Sequence, residues 1–104
     1  MTDRELLELA AKAAGMAAFV TAPSWSKGFC VQDGSGGGWY PWNPLTDDGD
    51  ALRLAVRLQM SMDTALAQSM AIALDGRDCV ERHEGDPYAA TRRAIVRAAA
   101  GRVT

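Results

Sequence analysis

The sequence predicts an α+β fold, in which about three helices pack with a small, mainly antiparallel sheet in the order α-β-β-β-α-β-β-β-α, sandwich-like in its layering. Three observations carry that expectation. Three stretches pair a capping residue with apolar residues at helical spacing; short apolar or alternating runs lie between them; and glycine-bearing turns separate those runs. With 104 residues, 48% of them apolar and 23% charged, the chain matches one globular domain spanning 1–104. A chain of this length buries roughly 60–70% of the surface its unfolded form exposes, so a core needs neither metal nor disulfide.

The first helix opens at Thr2, with Glu5 placed three residues on as a capping box requires. Leu6, Leu9, Ala10 and Ala13 share a face, and Gly15 is the stop signal. Met16–Thr21 reads as a short apolar strand ended by Pro23. Phe29-Cys30-Val31 reads as the next strand, and Asp33-Gly34 with Ser35 and Gly36–Gly38 as a hairpin loop. Trp39–Trp42 is the return strand, and Pro41 places it on an edge or at a bulge.

Thr46 or Asp47 caps the second helix, and Asp47, Asp48 and Asp50 crowd its first turn, where the helix dipole favours negative charge. Leu52, Ala55, Val56 and Gln59 read as its apolar face. Residues 58–75 fit either a helix, by alanine content, or a hairpin, by alternation; the hairpin, pairing Gln59–Asp63 with Gln68–Leu74, is preferred. Asp75-Gly76 then turns the chain into a strand over Arg77–His83. Asp86 caps the last helix with Pro87 at its first position. Tyr88, Thr91, Ile95, Ala98 and Ala99 form its expected inward stripe, and Gly101 ends it.

Charge and composition exclude several roles. A net charge of −2 and a pI near 5.2 give no global attraction to nucleic acid or anionic membranes. No apolar run approaches the roughly 18–20 residues of a membrane span. The acidic, amphipathic N-terminal stretch does not read as a signal peptide, so Cys30 and Cys79 are expected as reduced thiols in the cytoplasm.

Motifs for chemistry are sparse. Cys79 and His83 are separated by about 13 Å on a strand, and no second ligand pair accompanies them. His83 is the only histidine, and nothing else points to it as a catalytic base. The glycines at 34–38 lack the lysine and helix of a phosphate loop. Neither acidic group, Asp47/Asp48/Asp50 or Glu81/Glu84/Asp86, has calcium-loop spacing; phosphate mimicry is the functional reading of these acids and helix capping the simpler one. No catalytic residue, metal or cofactor is therefore expected.

Two groups are candidates for contact with a partner. Trp25, Trp39, Tyr40 and Trp42 are dense enough to form a hot spot, or to plug one end of a small core. Arg92, Arg93 and Arg97 on the last helix suit an acidic surface or phosphate, or make a solvated helix face.

The wording WNPLTDDGDALRLAV (Trp42 to Val56) and DPYAATRRAIVRAA (Asp86 to Ala99), with the opening MTDRELLELAAKAAG, resembles that of small tailed-phage and prophage proteins grouped as a phage "ABA sandwich" family. The similar parts cover somewhat under half of the chain, and residues 57–82 depart most. The resemblance implies a sheet packed between helices and supplies no activity. It also implies an accessory protein that binds a host or phage protein, with inhibition of a host defence system, as by anti-CRISPR proteins, as its most specific form. The alternatives are a nucleic-acid binder using the last-helix arginines, against which the net charge counts, and a structural phage protein. A monomer or a two-fold homodimer is expected.

Overall fold

The structure is a computed structural model, and it describes residues 2–20, 29–32, 40–64, 68–72 and 78–103. Its elements run α1 (Asp3–Ala13), β1 (Ala17–Val20), β2 (Phe29–Gln32), β3 (Tyr40–Pro41), α2 (Asp48–Arg57), β4 (Ser61–Asp63), β5 (Gln68–Ile72), β6 (Asp78–Arg82) and α3 (Pro87–Gly101). This is the α+β class and the element order that the sequence predicts. The strands form two antiparallel three-stranded sheets, ordered β1-β2-β3 and β4-β5-β6. Trp25, Trp39, the glycine loop at 33–38 and the Asp75-Gly76 turn lie outside the described residues.

Local chemistry sets the helix starts. The Thr2 hydroxyl accepts from the Glu5 amide at 3.2 Å, while Thr2 N–H donates back to Glu5 Oε1 at 3.3 Å, completing the capping box. Asp47 Oδ2 accepts from the Asp50 amide at 2.8 Å, and Asp86 Oδ1 from the Ala89 amide at 3.0 Å with Pro87 following.

The first two helices end alike. Gly15 and Met16 donate to Lys12 O and Ala11 O, at 3.0 and 2.9 Å; Gln59 and Met60 donate to Val56 O and Ala55 O, at 3.1 and 2.9 Å. Both are Schellman closures, which need a left-handed residue just past the cap. Gly15 (φ 77°) supplies it without strain, whereas Gln59 adopts φ 55° with a Cβ in place. Gln59 therefore belongs neither to the second helix's apolar face nor to the following strand, as its spacing had suggested. The strand starts at Ser61, with Ser61, Met62 and Asp63 opposite Ile72, Ala71 and Met70. The hairpin reading of this segment holds over those residues. Pro41 sits on β3, an edge strand, where its missing N–H breaks no interior ladder.

The core gathers on α3. Ala90, Ala94, Ile95, Val96 and Ala98–Ala100 are buried, and this helix packs against α1, α2, β5 and β6. From α1 come Leu6, Leu7, Ala10 and Ala11; from α2, Ala51, Leu54 and Ala55; and Val31 adds the central strand of the first sheet. Three residues expected to face inward point out instead. Tyr88 is 69% exposed although helical periodicity puts it on the face of Ile95 and Ala99, because it lies in the first turn, ahead of the buried run that begins at Ala90. Leu52 (55%) and Val56 (69%) are exposed because α2 meets α3 through the Ala51/Leu54/Ala55/Leu58 stripe, which turns the other apolar pair to the surface.

Replacing Gln59 with glycine is expected to raise stability by about 1 kcal/mol and Gly15→Ala to lower it by about 1–2 kcal/mol, read from denaturant midpoints at unchanged m. The Glu5 carboxyl is held below its ordinary value, first by the Thr2 backbone N–H and then by the Thr2 hydroxyl. Its folded-state value being lowered, the cap's contribution is complete above the ordinary glutamate range and fades as pH falls through the lowered value. Amide exchange at the start of α1 is expected to accelerate over that window, and Glu5→Gln to remove the pH dependence.

Candidate functional site

Apolar surface left by the packing of α2 forms the candidate site. The chain has the right composition to cover its core, yet six large apolar side chains among the described residues remain exposed: Tyr40, Leu52, Val56, Met62, Val80 and Tyr88. Five of these border two grooves that meet at Leu52. Scattered surface apolar residues are ordinary, but a gathered set marks an interaction surface.

The first groove, about 470 Å³, lies between α2, β3 and the turn after α1. Ala14, Met16, Trp42 and Leu54 are its buried wall, Tyr40, Leu52 and Val56 its exposed one, and Arg53 and Arg57 its charged rim. Tyr40 is set by its strand and by a long hydrogen bond from its hydroxyl to Met16 Sδ at 3.8 Å. The second groove, about 500 Å³, runs between α2 and the start of α3, with Met62 and Tyr88 across from Leu52. Its charges, Asp48 and Arg92, neutralise each other at 2.5 Å.

The residues singled out in the sequence fall in different places. Tyr40 lies in the first groove, while Trp42, 5% exposed, supports it from within the core. Trp25 and Trp39 are outside the described residues.

The three arginines of α3 each clasp another element. Arg92, with a side chain only 17% exposed, donates through Nε to Leu45 O at 2.8 Å and through Nη1 to Asp48 at the start of α2. Arg93 donates to Asp3 of α1 at 3.2 Å and lies 3.8 Å from Glu81 of β6. Arg97 pairs with the other oxygen of Glu81. Positive charge engaged this way is less available to phosphate.

The three acids at the start of α2 are also engaged. Asp47 caps α2, and Asp48 holds Arg92. Asp50 accepts from the Asn43 amide at 2.9 Å and from Arg53 at 2.7 Å. That hydrogen bond from Arg53 to Asp50 is the main reason the guanidinium's pKa lies above its ordinary value, and the charges of Asp50 and Asp47 add to the shift. Cys30 is buried and Cys79 half-buried, and among the described residues no three His, Cys, Asp or Glu side chains converge as metal ligands. No helix of the described residues is long and apolar enough to cross a membrane.

Sequence reasoning missed Leu52, Val56, Met62, Tyr88, Arg53 and Arg57. One signal was present: α2 carries two apolar stripes, Ala51/Leu54/Ala55/Leu58 and Leu52/Val56, and a helix packed on one side can bury only one. Compared with known proteins, the chain matches no family model, no curated protein and no solved structure.

The half-buried clasp should matter more than the exposed ones. Arg92→Ala is expected to cost about 1.5–3 kcal/mol, because it removes hydrogen bonds to a carboxylate and to a backbone carbonyl. Arg97→Ala should cost about 0–1 kcal/mol, as exposed ion pairs do. Urea denaturation of both variants checks the ranking.

Proposed function

We propose that this chain is a non-enzymatic binding protein that engages a host or phage protein through the apolar face over α2. The observation that carries the reading is the gathering of Tyr40, Leu52, Val56, Met62 and Tyr88 around one exposed helix. A groove on either side of a central leucine gives such a partner places to seat anchor side chains, and buried anchors dominate binding energy. The wording of Trp42–Val56 and Asp86–Ala99 supports a phage or prophage accessory setting, and with it the bacterial cytoplasm as the compartment. Inhibition of a host defence system is the most specific form of the same reading, and it draws its support from that resemblance.

A photo-crosslinking residue in place of Val56 is expected to capture one dominant protein from lysate of a bacterial host. Leu52→Asp on the same chain should abolish the adduct while thermal unfolding of the free protein stays within a few degrees of the parent. Capture that survives Leu52→Asp and disappears in Arg93→Glu/Arg97→Glu would move the surface to α3. An adduct-free lane overturns the reading.

A further inference from the structure

Resting on that reading, we infer that the partner presents an acidic amphipathic helix to the groove between α2 and β3. The groove's chemistry selects this occupant. Its walls are apolar, and among the described residues every charged side chain that lines it is an arginine. An apolar trough with a one-signed rim fits a helix whose apolar stripe seats in the trough and whose flanking charges are of the opposite sign.

The two arginines differ in what they offer. Arg53 is already held by Asp50 at 2.7 Å, with Asp47 at 3.8 Å, so its charge is partly satisfied. Arg57 has no carboxylate within ion-pairing distance among the described residues. Its guanidinium instead lies beside Gly15, 4.0 Å from where a Cβ there would sit, at the carboxyl end of α1. The carboxyl end of a helix carries partial negative charge, which suits a cation there without cancelling a full charge. Arg57 is thus an exposed cation of α2 next to Val56, on a chain whose net charge is −2 and whose three α3 arginines are paired. A basic helix would meet repulsion at this rim, and the second groove, with its charge already neutralised, offers no comparable selection.

The test uses the full chain and two synthetic helical peptides of about fourteen residues, or four turns, with the same leucine stripe but glutamates or lysines on the polar face. Binding is followed by amide NMR shifts and by calorimetry. The glutamate peptide is expected to shift residues around Val56 and Tyr40, and Arg57→Glu to weaken it about tenfold while improving the lysine peptide. Val56→Asp should weaken both. Equal binding of the two peptides, or an Arg57→Glu variant indistinguishable from the parent, overturns the acidic choice and leaves an apolar surface standing. Binding of neither peptide overturns the helical partner, while the crosslinking result at position 56 separately decides whether the face binds protein at all. Sedimentation of the free chain and titration with duplex DNA cover the other occupants: a dimer lost in Val56→Asp, or DNA shifting the same residues, overturns the inference.

Discussion

The first two helices and the second sheet are arranged around the smallness of one helix face. On α3 the buried residues are five alanines, one isoleucine and one valine. Alanine lets a neighbouring backbone approach closely, so α1, α2 and two strands of the second sheet can all rest against a fifteen-residue helix. Alanine also favours the helix itself, so the same residues serve propensity and packing. A larger residue at Ala94 or Ala99 would have to displace a neighbour, since interiors of this density have no slack.

Charge then fixes how the neighbours lie on that helix. Arg92, Arg93 and Arg97 reach outward from α3 to α2, α1 and β6, one clasp for each. Exposed pairs of this kind add little energy singly. Their value is directional, and the half-buried Arg92, bonded to a backbone carbonyl as well as to Asp48, anchors the start of α2 most firmly. With α2 held by its Ala51/Leu54/Ala55/Leu58 stripe, Leu52 and Val56 have nowhere to go but the surface. The candidate binding face is therefore a consequence of the same packing that builds the core, and it keeps Arg57 at its rim while the α3 arginines are paired internally.

Much of the architecture was legible in the chain. The capping box at Thr2 and Glu5, the aspartate caps at 47 and 86, Gly15 and Pro87 are local devices whose energies depend on a few neighbouring atoms, so reading them needs no tertiary knowledge. Alternation over residues 68–72, answered by Ser61–Asp63, identified a hairpin where alanine content alone pointed to helix. The candidate site was much less legible. Tyr40 lies in the groove, Trp42 takes the core position that the sequence reading set beside the hot spot, and Arg92, Arg93 and Arg97 are fastened to other elements.

By itself, then, the sequence determined the α+β class, the order of elements and the places where helices begin and where the first one stops, because caps, turns and periodicity act over a few residues. Which of two apolar stripes on α2 would be buried, whether Tyr88 would face in or out, and which arginines would remain uncommitted were decided only by the tertiary structure. Those outcomes depend on which surface of α3 each element meets, and contacts between Arg92 and Asp48 or Arg93 and Asp3 join residues far apart in the chain, where no local pattern can register them.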